Sequence, residues 1–271
     1  MAKNLFLLFE IGGTNMQIAS SRDLKSLETT HAVKTPRIFE EGIALFKKIG
    51  REIARGEKIQ AVCGGIAGPL NKTKSRILTA PNLSGWNKKP LKEKLAAAFD
   101  CPAFIENDAT VAGLGEAHFG AGAGRRIVAY LTISTGVGGA RIVNGRIDEN
   151  ALGFEPGHQI IDKNGTTLES LISGSGLSKR YGKTVSAIKN EAIWNETACL
   201  LAIGIANTIV YWSPDIVILG GSLMKTISLP NVRTHLKKTL TIFQSLPSVV
   251  RSKLGDSAGL YGAMVYMREK M

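Results

Sequence analysis

With 271 residues, 44% of them hydrophobic and 21% charged, the chain is long enough to bury a sizeable core and to form two modest domains, which excludes a disordered or low-complexity protein. Its net charge of +12 would suit a nucleic acid, a membrane surface or an anionic substrate. The basic residues are dispersed, however, and the densest runs (Lys72 to Arg76, Lys88-Lys89, Lys237-Lys238) lack interleaved aromatic residues and read as solvated surface. In chain order, the apolar run Leu5 to Phe9 and the run Met16 to Ala19 predict two strands around Gly12-Gly13-Thr14. An amphipathic helix follows over Glu40 to Arg55, then a strand at Ile59 to Cys63 and a turn-rich Gly64 to Pro69. A short strand is expected near Arg76 to Thr79, then the polar loop Pro81 to Trp86. Pro90 opens a helix to Phe99, a strand covers Phe104 to Glu106, and an Ala-rich helix covers Ala109 to His118.

The second half repeats this order. A hairpin spans Ile127 to Ile147 and turns at Asn144-Gly145, a polar region follows, and a long helix lies near Glu191 to Trp212. The strand Asp215 to Leu219 ends in Gly220-Gly221. A helix near Asn231 to Thr241, a strand near Val249 and a C-terminal helix from Ser257 complete the chain. Two halves that each begin with a Gly-turned hairpin imply a duplicated α/β unit, although no close sequence repeat is present. The stretch Ala198 to Trp212 is too short and interrupted to span a membrane, and the opening apolar run is broken by Glu10 too early for a signal peptide. Cys63, Cys101 and Cys199 are far apart and read as small buried side chains in a reducing compartment. A cytoplasmic protein is expected, with neither nucleic acid nor membrane as partner. The first Gly-rich turn also comes at residue 12, with no room before it for a helix-turn-helix.

Three segments carry the chemistry: Glu10-Ile-Gly-Gly-Thr-Asn15, Glu106-Asn-Asp108 and Thr132-Ile-Ser-Thr-Gly-Val-Gly-Gly139. Turns of this kind aim backbone N–H groups into one concavity, and Gly permits both positive φ angles and the close approach of a polyphosphate. Thr14 and Thr135 add hydroxyl donors. Either turn alone could simply close a hairpin; two matched turns favour phosphate. No helix-borne G-x-x-x-x-G-K-[ST] string occurs. Asp108 stands at a strand end and a helix start, where ligands gather, although an aspartate there could equally be a helix cap. His158 alone would be a loop or satisfied core histidine, and Glu169 alone a helix-start acid favoured by the dipole.

The turn Gly12-Gly-Thr14, the loop Asn82-Leu-Ser-Gly-Trp86, Glu106-Asn-Asp-Ala109 followed by Gly115-Glu-Ala, Thr135-Gly-Val-Gly-Gly139, Glu155-Pro-Gly-His158, Leu168-Glu169 with Ser173-Gly174, and Leu219-Gly-Gly221 together resemble the ROK (repressor, open reading frame, kinase) sugar kinases, the bacterial glucokinase type above all. The resemblance runs in order along nearly the whole chain. It implies an α/β, two-lobed actin/hexokinase-like (ribonuclease H-like) ATPase fold with an interlobe cleft. Residues 1–108 would form the smaller lobe, with the helix 257–271 packing back onto it, and 109–256 the larger. It further implies transfer of the γ-phosphoryl of ATP, with Mg²⁺, to the 6-hydroxyl of a hexose, most naturally glucose, by a homodimer.

Carried over by residue, Asp108 is the base that takes the hydroxyl proton. Asn107, Glu155, His158 and Glu169 bond the sugar, and Gly65 and Asn82 line its pocket. Glu10, Gly12, Gly13, Thr14, Asn15, Thr135, Gly136, Gly220 and Gly221 hold the nucleotide. Three departures from the pattern stand out. Glu10 replaces the usual Asp beside the metal, Ser134 replaces a common Gly, and Gln159 to Glu169 contains no Cys, so a structural zinc is not expected. Another hexose, polyphosphate as donor, or a catalytically impaired sugar sensor are the alternatives.

Overall fold

The apolar run at the start of the chain becomes the central strand of a sheet because both of its faces are covered, which is why it shows no alternation. In the computed structural model, which describes residues 4–271, the chain divides into two compact units, the described residues up to His118 with Ser257–Met271, and Phe119–Asp256. In the first unit β1 (Leu5–Ile11) pairs antiparallel with β2 (Asn15–Ser21), which pairs antiparallel with β3 (Thr30–Lys34). After α1 (Phe39–Ala54), β4 (Ile59–Ile66) lies parallel to β1. After α2 (Leu91–Phe99), β5 (Ala103–Asn107) lies parallel to β4 and runs directly into α3 (Asp108–Phe119). Leu5, Leu7, Phe9 and Ile11 share one core cluster with Phe39, Phe46 and Ile49 of α1. At its C-terminus α1 stops on Arg55 and Gly56, both at positive φ.

The second unit contains β6 (Ile127–Ile133), β7 (Val137–Val143), β8 (Arg146–Ile147), α4 (Leu168–Ile172), α5 (Gly174–Tyr181), α6 (Glu191–Trp212), β9 (Ile216–Gly220), α7 (Leu229–Thr239) and β10 (Ser248–Arg251). The final helix, α8 (Ala258–Lys270), belongs to the first unit and packs on β1 and β4. The sheet orders are β3-β2-β1-β4-β5 and β10-β9-β6-β7-β8. From the central strand outward, the two are the same in pairing sense: antiparallel neighbours on one side and parallel ones on the other. This duplicated five-stranded plan is that of the actin/hexokinase-like, ribonuclease H-like α/β class.

Several local expectations change. Gly64 and Gly65 lie inside β4, not in a turn: a Cβ on Gly64 would sit 2.0 Å from the Phe9 carbonyl oxygen, so glycine is required by packing between strands. The strand expected near Arg76 to Thr79 reduces to a single bridge between Leu70 and Ile77, and Pro81–Trp86 is a 3₁₀ turn. The first unit extends to His118 instead of ending at Asp108. Its α3 is held against α8 at very short range, since a Cβ on Gly262 would lie 1.6 Å from the Val111 carbonyl oxygen and one on Gly115 2.2 Å from that of Ala258. Helix α6 incorporates Ala198 to Trp212 into 22 residues, long and apolar enough by length and composition to cross a membrane. Its Leu201, Ala202, Ile205 and Ile209 are buried in the core of the second unit, which accounts for the apolar character. Cys63 is buried as expected, whereas Cys101 and Cys199 are half-buried.

Candidate active site

In the first unit the Gly12-Gly13-Thr14 turn joins the C-terminal end of β1 to β2. The Gly12 N–H donates to the Asn15 carbonyl at 2.9 Å. Thr35 braces the turn from outside, its N–H donating to the Thr14 carbonyl at 3.0 Å and its hydroxyl to that of Gly12 at 2.7 Å. Neither Gly12 nor Gly13 has a positive φ. What the turn needs is the missing Cβ: one on Gly13 would meet Asn82 Cβ at 2.8 Å and its carbonyl oxygen at 2.9 Å. The phosphate-type turn and the Asn82 loop are therefore in contact. Thr14 and Asn15 are exposed, and Asn15 Oδ1 accepts from Lys34 Nζ at 3.0 Å. Glu10, on β1, stands in register with Gly65, and its carboxylate lies over the first turn of α8, where a Cβ on Gly259 would be 2.3 Å from Glu10 Oε2. The longer acid fits because position 259 is glycine.

Asp108 follows β5 directly, at the C-terminal end of a strand that lies parallel to β4. The helix cap is its neighbour. Asn107 Oδ1 accepts the Thr110 N–H at 3.1 Å and the Thr110 hydroxyl at 3.3 Å, while Asn107 Nδ2 donates to the Gly68 carbonyl at 3.2 Å. Asp108 is released from that duty, and its Oδ1 accepts the Ala109 N–H at 2.8 Å. Desolvation by the surrounding protein raises its pKa, opposed by backbone N–H groups of Ala109 and of Asp108 itself. Gly65 is buried beneath it, with a built Cβ 2.9 Å from Asp108 Cα, so this glycine seats the acid and does not line an open pocket.

In the second unit the turn at 134–136 joins β6 to β7 and is held from three sides. The N–H groups of Gly174 and Ser175, at the start of α5, donate to the Ser134 and Thr135 carbonyls at 2.7 and 3.1 Å. Glu169 Oε2 accepts the Val137 N–H at 2.7 Å, and a Cβ on Gly136 would press on the same oxygen. The Ser134 hydroxyl lies 3.0 Å from that of Ser222. Ser134 thus turns toward a partner in its own unit. Thr167, not Glu169, caps α4, and Ser173 caps α5. The Pro156–His158 turn packs on the same Val137, since a Cβ on Gly157 would be 2.2 Å from its carbonyl oxygen. Glu169, the Thr135-Gly136 turn and the Pro156–His158 turn therefore meet at Val137. Glu155 and His158 are exposed. At the end of β9, Gly220 is buried against the Tyr130 hydroxyl, while Gly221 has a φ of 91° and packs on Ile133.

The ROK family model matches residues 7–270. The chain belongs to the ROK family. It is 28% identical to a glucokinase of Streptomyces coelicolor, covering 96% of each chain, and 25% identical to an N-acetyl-D-glucosamine kinase of Salmonella paratyphi C, covering 94% of this chain and 96% of that one. Its fold matches the crystal structure of a ROK family glucokinase from Streptomyces griseus in complex with glucose and AMPPNP, with a TM-score of 0.84, 24% identity, and 98% and 100% of the two chains covered.

In this ROK chain the segment Gln159 to Glu169 is organised by hydrogen bonds. Ile160 bridges Thr167, and Asp162 Oδ1 accepts the Asn164 and Thr166 N–H groups at 2.8 and 3.1 Å; hydrogen bonding to the Thr166 side chain, then to its backbone and that of Asn164, lowers the Asp162 pKa. Gln159, next to His158, donates to the Pro156 carbonyl and accepts from Asn207 of α6, each at 2.8 Å. Thr35, Gln159, Asn207 and Ser222 were not foreseen from sequence. Gln159 and Ser222 directly follow the Glu155–His158 and Leu219–Gly221 motifs, whereas Thr35 and Asn207 act on segments distant in the chain.

Proposed function

We propose that this ROK protein transfers the γ-phosphoryl group of Mg-ATP to the 6-hydroxyl of a hexose, glucose before others. The observation that carries the reading is the division of labour at the end of β5: Asn107 caps α3 and leaves Asp108 uncapped and desolvated, with raised basicity. A carboxylate with a raised pKa is a better proton acceptor, and general-base assistance typically supplies about 10²- to 10⁴-fold. Asp108 takes the proton of the 6-hydroxyl as that oxygen attacks phosphorus. Asn82, held against Gly13, and Asn107 bind the sugar beside it, and Glu155, His158 and Glu169 complete its recognition.

The turns at 12–14 and 134–136 receive phosphate oxygens, with Thr14 and Thr135 hydroxyls as donors, and Gly220 and Gly221 border the nucleotide. Mg²⁺ prefers one or two carboxylates plus phosphate oxygens, and would offset charge on the transferring group. Glu10 suits that need: it is a carboxylate two residues before the first turn, seated over α8. The glucose and AMPPNP bound in the Streptomyces griseus glucokinase support both ligands. The Salmonella relative, a kinase for N-acetyl-D-glucosamine, is the reason the acceptor must be measured. The test is ADP release from Mg-ATP, one hexose at a time, with a no-sugar control and a polyphosphate arm. Glucose-dependent release is expected. Sugar binding in a calorimeter with no turnover from either donor would overturn the kinase reading.

A further inference from the structure

Glu106 carries a carboxylate that the proton transfer does not use. Its residue is only 5% exposed, at the end of β5, one position before Asn107. Glu106 Oε1 accepts the Asn107 N–H at 2.9 Å, and Oε2 is paired with the ammonium of Lys74, which also lies 5.9 Å from the ring centroid of Tyr266 on α8. A buried carboxylate without a cation would be costly, so this pair is not an ordinary surface contact.

Lys74 lies at the tip of a small hairpin. Its backbone adopts φ 48° and its N–H donates to the Asn71 carbonyl at 2.8 Å. Asn71 Oδ1 accepts the N–H groups of Ser75 and Arg76, and Leu70 bridges Ile77. The hairpin is bonded onward to the segment that follows it. The Lys88 N–H donates to the Ile77 carbonyl at 2.8 Å, the Lys92 N–H to that of Ser75 at 3.1 Å, and the Ala80 N–H to Asn87 Oδ1 at 2.8 Å. Between these ties lies the 81–86 turn with Asn82 against Gly13.

We propose that Lys74 and Glu106 form a clasp that fixes the 70–89 segment, and with it Asn82, relative to the strand end bearing Asn107 and Asp108. Both are positioning residues: neither is assigned a contact with substrate, and each acts on sugar binding through Asn82 and Asn107. The proposal rests on the assignment of those residues to the sugar site.

The test compares wild type, Lys74→Met, Lys74→Arg and Glu106→Gln as full-length protein. Hydrogen–deuterium exchange without ligand reads the clasp independently of activity. Faster exchange confined to 70–89 is expected in Lys74→Met and Glu106→Gln, and wild-type exchange in Lys74→Arg. Hexose kinetics read the consequence: KM should rise in Lys74→Met, lowering kcat/KM by roughly 10²-fold or less, with kcat nearly unchanged and Lys74→Arg close to wild type. Unchanged exchange at 70–89 would overturn the clasp, and faster exchange with unchanged KM would overturn its positioning role. If wild type phosphorylates no hexose, the kinase reading fails on its own and the exchange pattern still decides the clasp.

Discussion

The two Gly-rich turns occupy equivalent places in two sheets of the same order, yet they are held in different ways. The turn at 12–14 is braced by Thr35 and rests its glycine on the backbone and Cβ of Asn82. The turn at 134–136 is bound by the start of α5, by Glu169 and by Ser222. Their acids differ in the same sense. Asp108, spared the cap of α3 by Asn107, accepts the N–H of its own neighbour Ala109, whereas Glu169 bonds across to Val137 at the end of the turn. The duplicated sheet supplies a turn twice, and the loops around it decide whether the nearby acid is tied to the turn or to the chain beside it.

The largest expected effect tests that asymmetry directly. Asp108→Asn should lower kcat by more than about 10²-fold with little change in sugar affinity, measured by coupled ADP release and calorimetry. A variant with near-wild-type turnover would remove Asp108 from the mechanism. The raised pKa adds two further expectations. The base is lost as pH falls through that raised value, so the acid limb of kcat/KM should lie above the ordinary aspartate value of about 3.9. For stability the sign is opposite, because ionised Asp108 is disfavoured in the fold. Its contribution is fully favourable below the unfolded-state pKa and is lost as pH rises through the folded one. Asp108→Asn should therefore melt higher than wild type at neutral pH, with the gap closing in acid.

The second comparison sets Gly13→Ala against Gly136→Ala. An added methyl at Gly13 meets Asn82 at backbone and Cβ, neither of which can swing aside, whereas at Gly136 it meets the end of the Glu169 side chain at 2.7 Å. Gly13→Ala should raise the KM for both ATP and hexose, by roughly 10²-fold in kcat/KM, because a displacement near 1 Å is enough for that. Gly136→Ala should do less, acting on ATP through the turn and on hexose through the displaced Glu169 carboxylate. Equal losses in the two variants would argue that the turns are held alike.

Much of this was readable in the chain. The central strands announced themselves by uninterrupted apolar runs, α6 by its length, and the Asn144-Gly145 turn by residues that accept positive φ, here 53° and 73°. The glycines were found, but positive φ is not their reason. Gly12, Gly13 and Gly136 serve close approach without a positive φ, and Gly64 lies within a strand because Phe9 leaves no room for a Cβ. Spacing shows that a Gly is present without showing what lies above it. The same limit applies to the pair Asn107-Asp108, where sequence admits either residue as the cap and only the hydrogen bond to Thr110 assigns it. Helices α4 and α5 were hidden in a polar stretch because each is short, and their caps, Thr167 and Ser173, resemble ordinary loop residues.

Glu169→Ala comes next in size. It leaves the Val137 N–H without its acceptor, at a cost of about 1–3 kcal/mol of stability if that group stays dry. Thermal or urea unfolding should show the loss, and Glu169→Gln, whose amide oxygen still accepts, should recover most of it. If the Gln variant is as stable as wild type but binds hexose weakly, the carboxylate serves the sugar as well as the turn. Equal destabilisation by Ala and Gln would mean that charge, not the hydrogen bond to Val137, holds the second turn.

The smallest effect is expected at Ser134. Its hydroxyl meets Ser222 at an exposed position, where a neutral hydrogen bond contributes about 0.5–1.5 kcal/mol at most. Ser134→Ala keeps the backbone restriction and removes the hydroxyl, whereas Ser134→Gly also widens the backbone's range, with a further entropic cost of roughly 0.5–1 kcal/mol. If the turn is held chiefly by Gly174, Ser175 and Glu169, both variants should keep the wild-type KM for ATP and differ only slightly in melting temperature. A tenfold rise in that KM for Ser134→Ala, matched by Ser222→Ala and not exceeded in the double variant, would instead make the hydroxyl pair part of the phosphate cradle. The second turn would then depend on a side-chain hydroxyl, as the first depends on that of Thr35.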